Sequence, residues 1–336
     1  MSHDIFSPAR RRFTKAAVAA VAAVGMAAVA LPGQPLADDF PTRPITMVVP
    51  FNPGGASDII GRLVAEEMSR ILGQNVLVDN RAGAGGAVGT ASVANSAPDG
   101  YTMIYSTSGT TVVLPLTNPE LPYDPDEQLT AVGQLIGLEL ILVARKDFEH
   151  TTIPEIVEAA KADPGAISIG NTGVRGLAHL VANYLAETLE VEFLDVAYQG
   201  DGPQLTALVN GELDLGIVSV QAGSSFLQNG EIVPVAMLGD NRASSLPDTP
   251  TVAELGYDGF SAGTFGGLHV PAGTPENRIQ KLHAAMAEAL TKPEIAERID
   301  AFSAVAVGST PQEFTDRILS ERELWRGILA RLPEPQ

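Results

Sequence analysis

Val48-Val49-Pro50-Phe51-Asn52-Pro53-Gly54-Gly55-Ala56-Ser57-Asp58 carries three local signals in succession. Ile45 to Val49 is an apolar, β-branched run that predicts a buried strand. Two prolines and two glycines then end it. Ser57 or Asp58 stands at the N-cap of a predicted helix, whose apolar residues Ile59, Ile60, Leu63, Val64, Met68, Ile71 and Leu72 recur at steps of three and four. Gly73 closes that helix at its C-terminal end. A strand, a glycine turn and a helix N-terminus together gather unpaired backbone N–H groups at the positive end of a helix dipole. Such a spot attracts carboxylate or phosphate without any charged side chain. The same pattern also describes a plain βα turn, and local geometry alone fits both.

The element recurs along the chain. After strand Asn75–Val78 comes the glycine run Gly83-Ala84-Gly85-Gly86-Ala87-Val88-Gly89. It imitates a dinucleotide fingerprint but fails it, because Val88 stands where the third glycine belongs and no acid follows about 20 residues on to hold a ribose. Tyr101–Tyr105 is a buried strand leading into the hydroxyl-rich loop Ser106-Thr107-Ser108-Gly109-Thr110-Thr111. Those hydroxyls suit an anion, and equally the capping of a following helix. Thr152 to Glu155 is a capping box. Strand Ile167–Ile169 is followed by Gly170-Asn171-Thr172-Gly173-Val174-Arg175-Gly176 and a helix from Leu177. Strand Val191–Val196 leads through Tyr198-Gln199-Gly200-Asp201-Gly202 into a third helix. The alternation predicts an α/β protein of two modules, each a parallel sheet presenting loops at its strand C-termini, where open sheets bind ligands. A second capping box, Thr310 to Glu313, opens the last helix, which carries the only tryptophan, Trp325.

Composition narrows the function classes. At 336 residues, 45% hydrophobic and 18% charged, the chain supports two globular modules. No cysteine is present, which removes disulfides, thiolate metal sites and cysteine nucleophiles. His3, His150, His179, His269 and His283 are too scattered for a metal site, so neither metal nor cofactor is expected. A net charge of −19 argues against nucleic acid as partner. Arg10-Arg11-Arg12-Phe13-Thr14-Lys15 before the Ala/Val run 16–30 predicts an export signal of twin-arginine type over residues 1–37, too short and small-residued to span a bilayer. Cleavage is expected after Ala37 or Ala30. Removing residues 1–37 takes four basic residues from 21 and one acid from 40, so the mature charge becomes −22. An acidity of this size keeps a surface soluble and says nothing of the pocket.

The motifs Val48–Gly55 through Asp58, Asn80–Gly86, Pro98–Thr102, Leu121–Asp124, Leu246–Thr251 and Pro271–Pro275 come in one order. In that set and order, which covers nearly all the mature chain, the sequence resembles the Bug-type substrate-binding proteins of tripartite tricarboxylate transporters. The resemblance implies a type II periplasmic binding protein fold, two α/β lobes with a ligand cleft between them. Lobe 1 is expected over residues 39–140 plus 262–336 and lobe 2 over 141–261. It implies a periplasmic, monomeric receptor that binds a small organic acid and delivers it to the membrane permease subunits, without catalysis. The binding residues it implies are Phe51, Asn52, Gly54, Gly55, Ala56, Ser57 and Asp58 on the first loop, with Thr107 and Ser108 on the hydroxyl loop. Across the cleft stand Thr172, Gly173, Val174, Arg175 and Gly176, then Tyr198, Gln199 and Asp201. Three positions depart from the family pattern. Arg175 stands where a small residue is usual, Gln199 where lysine is usual, and Phe265 where tryptophan is common. His179 reads as a helix-face histidine, and Asp58 as a helix cap, since a bare carboxylate repels an anion. The competing class is an exported nucleotide-dependent oxidoreductase, against which the failed fingerprint counts. A serine hydrolase lacks its G-x-S-x-G elbow.

Overall fold

A computed structural model of the chain describes Met1 and residues 39–173 and 176–332. The predicted export signal beyond Met1, together with Val174 and Arg175, therefore lies outside the described residues. The chain divides into two compact units, Met1–Phe40 and Pro41–Gln336, and the second holds every strand described.

Two sheets organise that second unit. The first contains β1 (Ile45–Val49), β2 (Val76–Asn80), β3 (Thr102–Thr107), β4 (Leu129–Leu138), β10 (Thr264–Pro271) and β11 (Ala304–Ala306), in the order β11-β4-β10-β3-β1-β2. The second contains β5 (Leu140–Arg145), β6 (Ser168–Asn171), β7 (Leu194–Ala197), β8 (Leu215–Ser219) and β9 (Ile232–Met237), in the order β7-β6-β8-β5-β9. The helices of eight or more residues are α1 (Ala56–Leu72), α2 (Ala87–Ala94), α3 (Ile153–Ala162), α4 (Leu177–Leu189), α5 (Asp201–Asn210), α6 (Val220–Gln228), α7 (Glu276–Leu290), α8 (Pro293–Asp300) and α9 (Pro311–Leu329). Both predicted capping boxes are present, Thr152 with Glu155 and Thr310 with Glu313.

The sheets are not wholly parallel, which corrects the expectation of two parallel modules. β1, β2 and β3 are parallel, as are β6, β7 and β8, but β10 and β5 run antiparallel to their neighbours. The reason lies in the crossings. β4 runs toward the loop edge of the first sheet and passes through Glu139 into β5, which must then run away from the loop edge of the second. β9 and β10 repeat this in the other direction. A strand that enters a sheet from its loop edge has no direction but antiparallel to the βα strands already there.

The same registers bring the two loop edges toward each other. Thr107, at the end of β3, pairs with Gly266, and Thr264 pairs with Leu138. Two residues further on, Leu140 pairs with Ser219, at the end of β8. The last helix joins both sides. Phe314 near its start lies edge-on to Phe265 of β10 at 5.0 Å, while Trp325 near its end lies edge-on to Tyr184 of α4 at 5.9 Å. Phe314 and Trp325 are fully buried, and a large buried aromatic is among the most stabilising single contributions to a core.

The glycine run has a packing role. A Cβ on Gly86 would lie 2.7 Å from Thr110 Cγ2 and 3.4 Å from the Phe51 ring. At Gly89 it would lie 2.7 Å from the Arg81 carbonyl oxygen and 2.8 Å from Pro50 Cα. Helix α2 thus sits directly on the Pro50–Phe51 turn, and the glycines exist to let it. Gly89→Ala gains helix propensity of about 1 kcal/mol but forces two backbone segments apart. Overpacking of this kind costs about 1–3 kcal/mol, so urea denaturation is expected to show a lower midpoint with an unchanged slope. A variant as stable as the parent contradicts the close seating of α2.

Candidate functional site

The first half of the site is built on α1. The N-cap is Gly55, in extended conformation and without a side-chain cap, which corrects the placing of Ser57 or Asp58 there. Asp58 lies in the first turn and reaches back, so that its Oδ2 accepts from the Gly54 N–H at 2.9 Å. Its Oδ1 accepts from Asn80 Nδ2 at 2.9 Å and pairs with Arg62 at 2.9 Å. Asn80 also donates to the Phe51 carbonyl at 3.2 Å. Asp58 is 4% exposed and therefore faces the scaffold rather than a ligand. Burial alone would raise its pKa, but Arg62, the Gly54 N–H and Asn80 together hold it below the usual carboxylate range. Gly54 has φ +90°, a conformation that costs little only in glycine.

What this bracing leaves open is a row of donors. The Asp58 and Ile59 N–H groups both donate to the Gly55 carbonyl. Among the described residues, the N–H groups of Gly55, Ala56 and Ser57 have no such partner, at the start of a 17-residue helix. Asn52, Pro53, Gly54 and Gly55 are exposed, with Phe51, Ala56 and Ser57 half-buried. A preformed anion cradle needs this combination of free amides and a fixed loop.

The hydroxyl loop mostly serves the scaffold. Ser106 pairs with the buried His269 Nδ1 at 2.7 Å, tying β3 to β10. Burial, aided by Arg322, pushes His269 down to about 3, so it is neutral. Ser108 is fully buried and accepts from the Phe265 N–H at 3.2 Å. Thr110 Oγ1 accepts from the Thr107 N–H at 3.0 Å, and Thr111 donates to the Thr107 carbonyl at 3.0 Å. Thr107 and Gly109 stay half-buried, and they are the members of the loop left facing outward.

The second half repeats the plan on β6 and β7. Asn171 is fully buried, its Oδ1 accepting from the Gly173 N–H at 2.9 Å and its Nδ2 donating to Asp195 at 2.7 Å. Asp195 also pairs with His179 at 3.0 Å, which places that histidine on the helix face as a brace for the turn. Gly176 donates to the Gly173 carbonyl and caps α4, leaving Thr172 and Gly173 half-buried beside it. Tyr198 donates its N–H to the Asn171 carbonyl, which sets the tyrosine loop against the glycine turn. Gln199 is exposed and Asp201 half-buried at the start of α5. Burial raises the Asp201 pKa, with a Ser219 hydrogen bond opposing it.

Each turn thus depends on a side chain that sequence reasoning passed over: Asn80 and Asp195 are invisible as braces because their partners are 22 and 24 residues away. A separate concavity of about 520 Å³ is lined by Tyr123, Asp124, Asp126, Arg322 and Arg326, and there Arg322 pairs with Asp126. No group of three or more metal-ligating side chains occurs among the described residues.

Comparison with known proteins follows the same lines. The family model described as "Tripartite tricarboxylate transporter family receptor" matches residues 60–332. The chain is 33% identical to Protein BugT of Bordetella pertussis over 294 residues, 87% of this chain and 90% of that one. Among solved structures, MatC of Rhodopseudomonas palustris with bound malate is 31% identical, covers 86% of this chain and 100% of its own, and superposes with a TM-score of 0.70. The R. palustris protein Rpa4515 with adipate is 29% identical over 87% of this chain and 97% of its own, with a TM-score of 0.73.

The Asp58 brace carries a test of its own. Its folded pKa lies below the unfolded value of 3.8, so its contribution is present above that value and lost as pH falls through the folded one. Asp58→Ala orphans Asn80 and the Gly54 N–H, and is expected to cost about 1.5–3 kcal/mol at neutral pH. Denaturation curves should converge with the parent's as pH falls below 3.8 and through the folded value. A constant difference at every pH removes the carboxylate from the account.

Proposed function

The chain belongs to the tripartite tricarboxylate transporter receptor family, and on that premise we propose that it is an extracytoplasmic receptor that binds a small di- or tricarboxylate and presents it to the membrane permease subunits. It acts by binding and delivery as a monomer in the periplasm, with its signal peptide removed and no bond made or broken. The observation that carries the ligand class is the pair of relatives, similar over 86% and 87% of this chain, solved with malate and adipate. The free amides of Gly55 to Ser57 fit one carboxylate of such a ligand. Lobe 1 takes residues 39–140 plus 262–336 and lobe 2 residues 141–261, and the ligand is enclosed as they rotate about the two crossings.

A thermal-shift panel of mono-, di- and tricarboxylates tests the ligand class, since a ligand at 100 times its Kd stabilises by about 2.7 kcal/mol. If no carboxylate shifts the transition, the proposal fails. Gly55→Val tests the shared anchor. A Cβ there meets only the Asn52 carbonyl oxygen, at 3.8 Å, so the fold accepts it while the side chain occupies the anion's place. Affinity is expected to fall for every ligand found, and retention of any one of them by calorimetry contradicts a common anchor.

Arg175, in the glycine turn after β6, reads the distal end of the ligand in this proposal. A guanidinium makes a bidentate contact with a second carboxylate that neutral Gln199 does not supply. Arg175→Gly is expected to cost about 1.5–3 kcal/mol, on the order of tenfold to a hundredfold in affinity, for dicarboxylates only. Equal losses for monocarboxylates make it a general attractor, and no loss removes it from the site.

A further inference from the structure

One charged residue interrupts the apolar passage Leu138–Ala144: Glu139, at the point where the chain leaves the first sheet for the second. It is 6% exposed, and its Oε2 is buried with no hydrogen-bond partner among the described residues. The second crossing closes over it. A Cβ at Gly239 would fall 1.6 Å from that oxygen and one at Gly263 would fall 3.5 Å from it, so Gly239 is a glycine because the carboxyl group occupies its side-chain space.

The surroundings are otherwise set by two segments. Asp240 and Asn241 face Glu139 from the returning crossing, the first as a like charge and the second as a carboxamide that favours the ionised form. Arg317 of α9 faces it as the countercharge, but its Nε is committed to Glu321 at 2.9 Å. Glu321 shares Asp240 and Arg317 with it. From α6, Val220 brings only an N–H, which donates to the Glu139 carbonyl. One cation, Arg317, thus stands among the three carboxyl groups of Glu139, Asp240 and Glu321.

We propose that Glu139 is a proton-binding switch at the interlobe passage, holding the crossing segments together when protonated and forcing them apart when ionised. The physical reason is that a buried unpaired carboxylate is far more costly than a neutral carboxylic acid. Here water reaches Oε2 only if the Gly239 and Gly263 segments withdraw. Burial, with Asp240 adding to it, pushes Glu139 up to about 7, against Asn241 and Arg317. Glu321 is pushed up to about 6 for the same reasons. Since the folded value lies above the ordinary glutamate value of 4.5, the protein takes up a proton on folding. Stability then falls as pH rises from 4.5 to about 7 and levels off above. The inference rests on the two-lobed receptor reading, in which closure encloses an anion. A proton is then bound together with the anionic ligand, and alkaline conditions release both.

The test uses ligand-free protein, so that its failure is separate from failure of the carboxylate panel. Carbon-13 labelling of the glutamate carboxyl groups is expected to show one titrating with a midpoint near pH 7, absent in Glu139→Gln. The cysteine-free chain then allows paired dyes at Lys281→Cys on α7 and Glu158→Cys on α3. Energy transfer should report a distance that lengthens as pH rises through about 7 and stays short at every pH in Glu139→Gln. The absence of any glutamate titrating above pH 6, or an unchanged distance profile in Glu139→Gln, overturns the proposal. If Glu139→Gln fails to fold, the parent labelled at the same two positions decides: a distance that lengthens as pH rises through about 7 supports the switch and an unchanged distance overturns it.

Discussion

The structure depends on a constraint of direction: the chain changes sheets only at the loop edge, and does so through buried backbone. Leu138 pairs in one sheet, Leu140 in the other, and a single residue stands between them. A passage so short fixes the two loop edges close together, because one residue of extended chain spans only about 3.3–3.6 Å. Both sets of glycine turns therefore face one region, and the antiparallel strands β5 and β10 follow from the same passage.

An acidic protein that receives an anion cannot rely on long-range attraction. With a formal charge of −19, the surface field opposes the ligand, although charges beyond about 10 Å are screened at ~0.1 M salt. The proposed site offers short-range means instead. Backbone amides at two helix N-termini carry partial positive charge that no change of pH removes. Both turns are held by carboxamides, Asn80 half-buried and Asn171 fully buried, each hydrogen-bonded to an aspartate. Negative charge is thus present beside the cradle but spent on holding its shape.

The hydroxyl loop shows how buried polar groups limit what is left for a ligand. Ser106, Ser108, Thr110 and Thr111 are fully buried, and a buried hydroxyl without a partner costs about 1–3 kcal/mol. Each therefore binds backbone or a neutral histidine within the scaffold. A loop rich in hydroxyls delivers few of them to solvent for this reason, and its outward members are Thr107 and Gly109.

By itself the sequence determined what is local. Period and punctuation specified the β1–α1 turn, both capping boxes and the alternation of strands with helices, because hydrogen bonds three or four residues apart and apolar periodicity are written in neighbouring residues. The ordered motifs specified the family. Tertiary structure alone decided what depends on residues far apart in the chain. It made Gly55 rather than Ser57 or Asp58 the cap, since Asp58 is drawn away by Asn80. It turned a false dinucleotide fingerprint into a seat for Pro50 and Phe51. It also set Glu139 against Gly239, 100 positions on, where a lone charge in an apolar run is legible as an oddity but its confinement is not. Burial and charge pairing are properties of the assembled neighbourhood, and only folding brings those neighbours together.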